Sequence, residues 1–253
     1  MKRVALLILI TLLSLACTLI TPAARETEVK EVCLAKGLDT EYKPVNPTNS
    51  FAPLETFYCS VQVKNARKGV AIAAKWYYGD QLIYQTSTPL QRGTQYVGFE
   101  LTSSEPWPIG DYKVEIYLGD KLARTAKFVV SPPEGAIPSV VKKVVLTRGV
   151  DAEGNPTAPA IVFSPQDTIY CTVKADGGLY SRVQVKWYYQ GQPVEAEQDT
   201  FVFQENSPDA NLVFFLKPSP QLPEGDYTVE IYLDGKLTKA LDFSVQGAIA
   251  AVT

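Results

Sequence analysis

The chain has 253 residues, of which 46% are hydrophobic and 20% are charged. This balance is typical of globular proteins and excludes a disordered, collagen-like or coiled-coil chain. The 24 basic residues are outnumbered by 27 acidic residues, so there is no basic excess to bind nucleic acid. The absence of histidine from the sequence excludes histidine-based acid–base catalysis, histidine metal ligands and a histidine pH switch.

The first 16 residues have the layout of a secretory signal peptide. Lys2 and Arg3 precede a nearly unbroken aliphatic run, and Cys17 follows shortly after that run ends. The segment resembles a bacterial lipoprotein signal, in which Cys17 receives lipid and becomes the mature N-terminus. It departs from that pattern at Ser14, where leucine is preferred.

Two alternatives to lipidation exist for this segment. Cleavage after Ala16 would give a plainly secreted protein, and an uncleaved segment would be an N-terminal membrane anchor. We favour lipidation because a cysteine directly after an apolar run would otherwise be a coincidence. All three interpretations place the rest of the chain outside the cytoplasm, at or beyond the bacterial cell envelope, with residues 17–28 as a spacer.

The rest of the chain contains one sequence unit twice. Shifts of 111 to 115 residues align the two copies, and the shift changes where loops differ in length. The clearest matches are 75–78 with 186–189, 110–112 with 225–227, and 114–118 with 229–233. We therefore predict a domain over 29–130, a proline-rich linker over 131–139, a second domain over 140–246 and a tail over 247–253.

Each copy is predicted to be all-β. Apolar residues at 57, 59, 61 and 63 alternate with more polar ones, which is the period of a strand with one buried face. Two-residue turns such as Gly79-Asp80 and Asp234-Gly235 are predicted to join neighbouring strands. About seven such strands per copy, without a helical apolar stripe, predict a sandwich of two sheets.

Three repeated residues in each copy resemble the core of an immunoglobulin-like domain. A cysteine precedes a core tryptophan, and a tyrosine after Gly-Asp stands two residues before the usual second cysteine. These residues are Cys59, Trp76 and Tyr112 in the first copy and Cys171, Trp187 and Tyr227 in the second. Valine replaces the second cysteine, so the resemblance is to the broader bacterial and fibronectin-like set, without the inter-sheet disulfide. It implies two tandem immunoglobulin-like β-sandwich domains, each with a tyrosine corner.

Three cysteines follow the signal segment. Cys59 and Cys171 are predicted to be small buried residues on matching strands. Cys33 aligns with Val145 and is predicted to point into the core, where a Cys33–Cys59 disulfide is an alternative to free thiols. No histidine is present to activate a thiol, so none of the three is a predicted nucleophile.

Two carboxylates recur in both copies. Asp111 and Asp226 stand in Gly-Asp-Tyr, where aspartate is a common turn residue, and Glu115 and Glu230 are predicted to point outward from a sheet. Calcium takes about six or more oxygen ligands, and no loop is dense enough in Asp and Asn to supply them. We therefore predict no metal and no cofactor, while an acid–base carboxylate pair stays open.

Aromatic residues form the candidate binding surface. Tyr77 and Tyr117 in the first copy, and Tyr188 and Tyr232 in the second, are predicted to share the outer face of one sheet. They indicate either an exposed surface for protein or sugar, or stabilising cross-strand aromatic pairs. Trp107 lies in a proline-flanked loop without a tryptophan in the other copy, and it is either a further candidate contact residue or a residue that packs against the linker.

These features predict a non-catalytic protein outside the cytoplasm. Its two domains would act in binding, adhesion or scaffolding. Its partners would be the membrane, through the lipidated N-terminus, and an unidentified surface protein or glycan, but no nucleic acid. The alternative is a carbohydrate-binding accessory module that uses the exposed aromatic residues.

Overall fold

The computed structural model describes residues 26–247. The predicted signal peptide, Cys17 and most of the predicted tail therefore lie outside the described residues. Within the described range the chain forms 18 β-strands and no helix, which confirms the all-β prediction. A helix long and apolar enough to cross a membrane does not occur between residues 26 and 247.

The first copy contributes nine strands in two sheets. They are β1 (Glu28–Leu38), β2 (Pro44–Pro47), β3 (Ser50–Phe51), β4 (Phe57–Ala66), β5 (Ala71–Tyr78), β6 (Gln81–Pro89), β7 (Gly93–Leu101), β8 (Gly110–Leu118) and β9 (Lys121–Val130). One sheet has the order β2-β1-β4-β7, and the other has the order β3-β9-β8-β5-β6. β3 runs parallel to β9, whereas the long strands pair antiparallel.

The second copy repeats this arrangement with nine further strands. They are β10 (Val140–Thr147), β11 (Val162–Phe163), β12 (Ile169–Gly177), β13 (Arg182–Tyr189), β14 (Gln192–Val194), β15 (Thr200–Val202), β16 (Ser207–Leu216), β17 (Gly225–Leu233) and β18 (Lys236–Val245). Its sheets have the orders β10-β12-β16 and β11-β18-β17-β13-β14, and β15 also pairs with β13. In both copies the chain crosses repeatedly from one sheet to the other, as in an immunoglobulin-like sandwich, so the chain contains this fold twice.

Each copy buries its own apolar core. The buried residues of the first core lie between Val29 and Val130, those of the second lie between Leu146 and Val245, and the two clusters share no residue. The inward positions of β4 at 57, 59, 61 and 63 are all 0% exposed. The period of two in the sequence therefore identified the buried face of this strand.

Both copies contain a tyrosine corner. The hydroxyl of Tyr112 donates to the carbonyl oxygen of Pro108 at 2.7 Å, and the hydroxyl of Tyr227 donates to that of Pro223 at 2.9 Å. Both tyrosines are almost fully buried, so each bond satisfies a polar group that water cannot reach. The bonds fix the loop before β8 and before β17 against the core.

The prediction that Cys33 points into the core is wrong, because β1 contains a bulge. The register of β1 against β4 shifts between Val29 and Glu31, which reverses the alternation of inward and outward residues. Leu34 therefore lies opposite Cys59 and is buried, whereas Cys33 is only partly buried. Cys33 and Cys59 are free thiols in this structure. The second copy has the same shift near the start of β10.

The linker over residues 131–139 is bonded to the second copy. The side chain of Asn206 donates to the carbonyl of Gly135 at 2.9 Å and accepts from the N–H of Ile137 at 3.0 Å. The hydroxyl of Ser139 accepts from the N–H of Gly178 at 2.8 Å. These bonds hold the second half of the linker on the surface of the second sandwich.

Candidate functional site

The outer face of the first copy's five-stranded sheet carries a closed polar network, which we call the Glu115 cluster. The hydroxyl of Tyr117 donates to Glu115 at 2.8 Å, and the Nζ of Lys113 lies 3.0 Å from the same carboxylate. The Nζ of Lys113 also lies 4.5 Å from the centre of the Tyr77 ring. The Nζ of Lys75 lies 4.4 Å from the centre of the Tyr117 ring. Each polar group of the cluster thus has a partner within it.

The pKa shifts in the Glu115 cluster fit a structural role for these residues better than a role in proton transfer. Partial burial alone would raise the pKa of Glu115, but hydrogen bonds from Lys113, Tyr117 and Tyr77 bring it below its ordinary value. The hydrogen bond to Glu115 raises the pKa of Tyr117 to about 12. At neutral pH the carboxylate is therefore ionised and the phenol is neutral. Neither pKa lies near 7, where a general acid or base is most effective.

The second copy repeats this network around Glu230. The hydroxyl of Tyr232 donates to Glu230 at 2.6 Å, and the Nζ of Lys186 lies 4.5 Å from the centre of the Tyr232 ring. Thr228 stands in the place of Lys113 in the first copy. A hydrogen bond to Glu230 contributes to a raised pKa of Tyr188, after the larger effect of burial.

The four outward tyrosines therefore have partners inside the molecule. A lysine amine lies over the rings of Tyr77, Tyr117 and Tyr232. Glu115 accepts a hydrogen bond from the hydroxyl of Tyr117, and Glu230 accepts one from the hydroxyl of Tyr232. A ligand would have to displace these contacts before it could stack on a ring. This arrangement fits the cross-strand alternative of the sequence analysis better than the exposed binding surface.

Trp107 is partly buried and packs against the first core instead of standing at a free loop tip. Its indole N–H donates to the carbonyl of Glu55 at 3.1 Å, and its ring centre lies 5.0 Å from that of Phe57. Trp107 thus covers one end of the first core. It also borders a cleft of about 260 Å³ with Tyr78 and Arg182.

The buried cysteines are unreactive. Burial raises the pKa of Cys171 to about 12 and shifts the pKa of Cys59 in the same direction. The thiolate needed for nucleophilic attack is therefore scarce at neutral pH. Between residues 26 and 247, no group of three or more cysteine, aspartate or glutamate side chains could hold a metal ion.

A different site lies at the side of the first sandwich, where β6 and β7 are the edge strands of the two facing sheets. A groove of about 480 Å³ runs between them, which we call the lateral groove. Its volume lies in the range of about 300–1,000 Å³ that is usual for ligand sites. It is lined by Tyr84, Thr86 and Thr88 of β6, by Gln95, Tyr96 and Glu100 of β7, and by Tyr42 from the turn between β1 and β2.

The β6 edge of the lateral groove has little protection against pairing. β6 is nine residues long and contains no charged residue, and its Leu82 and Tyr84 are 45% and 46% exposed. Its protective features are limited to Pro89 at its end and a bulge at Ile83. Proteins usually protect such edges with charges, prolines or short strands. The second copy follows this rule, because β14 and β15 have three residues each and three acidic residues lie in the loop 195–199 between them. The two copies therefore differ at this edge.

One feature of the sequence could have indicated this groove, which is an exchange of a large and a small residue between the two copies. A shift of 112 aligns Tyr42 with Gly154, and a shift of 115 aligns Gly98 with Val213. A Cβ added to Gly98 would lie 2.5 Å from the Tyr42 ring, and one added to Gly154 would lie 3.1 Å from Val213. The first copy thus has a large residue in the turn and glycine in the strand, and the second copy has the reverse. The sequence alone does not show that these two positions are in contact.

No protein-family model and no curated protein sequence matches the chain. Among solved structures it is similar to a chimeric titin Z1Z2-Z1Z2 tandem, with 13% identity, a TM-score of 0.33 and coverage of 88% of this chain and 100% of that chain. It is also similar to a mutant alpha-2-macroglobulin of Salmonella, with 11% identity, a TM-score of 0.28 and coverage of 89% of this chain and 15% of that one. A third similar structure contains the N-terminal eight Ig domains of Down Syndrome Cell Adhesion Molecule, with 12% identity, a TM-score of 0.27 and coverage of 87% and 27%. The chain spans only a small part of the last two proteins, and its immunoglobulin-like fold rests on its own strand topology.

Proposed function

We propose that this chain is a non-catalytic binding protein that is displayed outside the cytoplasm on two tandem immunoglobulin-like domains. The observation that carries this proposal is the lateral groove of the first copy, set against the protected edge of the second. A long uncharged edge strand can pair non-specifically with strands of other chains unless it is covered. A ligand seated in the groove would cover β6 and use the exposed side chains beside it.

The polar groups of the described residues support binding rather than catalysis. Glu115 and Glu230 are engaged by tyrosine hydroxyls, and Cys59 and Cys171 are buried. The sequence contains no histidine that could serve as a base or activate a nucleophile. A site that only binds its ligand needs none of these groups.

The binding proposal is tested with the purified full-length chain and isolated envelopes of the bacterium that encodes it. We expect saturable binding, and we expect Thr88→Arg to weaken it by about 10-fold or more, because Thr88 lines the groove and arginine would fill it. Gln192→Arg makes the same charge change on the exposed edge of β14 and should bind like the wild type. Binding that does not saturate, or an equal loss in both variants, would contradict the proposal.

We further propose that lipid on Cys17 anchors the chain to the membrane, which the layout of residues 1–17 supports. Cys17→Ser should move the chain from the membrane pellet to the soluble extracytoplasmic fraction, because serine cannot receive the lipid. Cys33→Ser is the matched control and should stay in the pellet. Mass spectrometry of the native N-terminus provides the direct check. An unmodified N-terminus, at Cys17 or at a later residue, would indicate plain secretion instead.

A further inference from the structure

We infer that the lateral groove binds a glycan chain and that Tyr42 is the stacking platform for one of its sugar rings. This inference rests on the proposed binding function and names the ligand class of the same groove. It depends on three observations, which are the conformation of Tyr42, its exchange between the copies, and the chemistry of the groove.

Tyr42 is held in a conformation that is unfavourable for a bulky residue. Its φ is 62°, in the left-handed region where side chains are strained. The hydroxyl of Ser60, a residue only 2% exposed, donates to the carbonyl of Tyr42 at 2.6 Å. The carboxylate of Asp39 accepts from the N–H groups of Glu41 and Lys43, each at 2.8 Å. The turn therefore fixes Tyr42 while the residue remains 54% exposed.

The second copy shows that the fold does not need this ring. Gly154 occupies the same place with a φ of 80° and no strain. In the first copy the Tyr42 ring lies over Gly98, whereas in the second copy the side chain of Val213 fills the corresponding space next to Gly154. If Tyr42 served packing alone, the glycine–valine pair would supply the contact without an unfavourable backbone. The exchange therefore points to a role for the exposed aromatic face.

The groove combines aromatic faces with uncharged hydrogen-bonding groups. Tyr42 and Tyr84 are 54% and 46% exposed and both line it. A pyranose ring offers C–H groups that pack on such faces and hydroxyl groups that bond to amides and hydroxyls. The groove provides these partners in Thr86, Thr88, Gln91 and Gln95. Glu100 is the one charged residue among the described residues that line it, so a cationic cradle for an anionic ligand is absent there.

The Tyr42 exchange also favours a glycan over an added peptide strand. A peptide that extended the sheet at β6 would bind mainly through its backbone N–H and C=O groups. Such pairing would not require Tyr42, which lies across the groove from β6 and has an unfavourable backbone conformation. Aromatic stacking does require it, because the platform must stand rigidly beside the hydrogen-bonding groups.

The test uses the purified full-length chain and three samples of the same envelopes, which are untreated, digested with protease, or oxidised with periodate to cleave sugar diols. We expect saturable binding that survives protease and is lost after periodate. Tyr42→Gly should weaken binding by about 10-fold, whereas Tyr42→Phe keeps the ring and should bind within about threefold of the wild type. Thermal unfolding of both variants checks that the fold is intact.

The outcomes separate this inference from the proposed function. If untreated envelopes show no saturable binding, the proposed function fails and the glycan inference fails with it. If binding saturates but is destroyed by protease and resists periodate, the binding function stands and the ligand is a protein, which overturns the inference. Wild-type binding by a folded Tyr42→Gly variant would overturn the role of Tyr42.

Discussion

Trp76→Ala should destabilise the first copy by about 3–5 kcal/mol and leave the second copy folded. Trp76 is 0% exposed, and its ring centre lies 6.4 Å from that of Phe57 and 6.0 Å from that of Phe128. Its removal would leave a cavity in a core that cannot readily collapse. A domain of this size is stable by only about 5–15 kcal/mol, so the loss is a large share of the total. The second core is unaffected because the two cores share no residue.

Trp187→Ala is the matched variant in the second copy. Trp187 is 1% exposed and packs edge-on against Phe243 at 6.0 Å. Calorimetry of each variant should show one transition at a lower temperature and the other unchanged. In Trp187→Ala the tryptophan emission reports on the first copy alone, because Trp187 is the one tryptophan of the second copy. The calorimetric transition without a change in emission is then that of the second copy. A single transition that moves as a whole in both variants would contradict two independent cores.

Gly98→Val should destabilise the first copy by about 1–3 kcal/mol. The added Cβ would lie 2.5 Å from the Tyr42 ring and 2.6 Å from the side chain of Leu38, so the contact becomes overpacked. Tyr42→Gly removes the first of these clashes and suits the left-handed backbone at this position. The double variant carries the residue pair of the second copy, and we expect it to regain most of the lost stability.

A double-mutant cycle in urea measures this coupling. Because Tyr42 and Gly98 are in contact, their effects should differ from additivity by about 1 kcal/mol or more. Gly154→Ala, at the position that corresponds to Tyr42 in the other copy, combined with Gly98→Val should show no coupling. Additive effects of the Tyr42 and Gly98 substitutions would show that the tyrosine ring does not lie over the edge strand.

Local patterns in the sequence predicted the strands, but not the interruptions within them. In β4 the alternation of apolar residues identified the buried face, because the environment of each residue there follows directly from strand geometry. The two-residue turns at Gly79-Asp80 and Asp234-Gly235 join β5 to β6 and β17 to β18 as expected. Cys33 was misplaced because a bulge at the start of β1 adds a residue that no local pattern reveals.

The candidate site was harder to predict because it depends on long-range contacts. Tyr77 and Tyr117 share the sheet of β5 and β8 as expected, but the lysine amines over their rings follow from side-chain packing. Trp107 lies between prolines that suggest an exposed loop, yet its ring folds over Phe57. Tyr42 is distant in sequence from its contact in β7, so the groove appears only when the fold is known.

Hydrogen exchange of the full chain, free and bound to envelopes, tests most directly the central claim that the first copy binds its ligand at the lateral groove. We predict slower exchange on binding in residues 81–101 and in the turn around Tyr42, with no change in residues 192–216 of the second copy. Protection of that second edge, or unchanged exchange throughout the first copy while ligand is bound, would contradict the account.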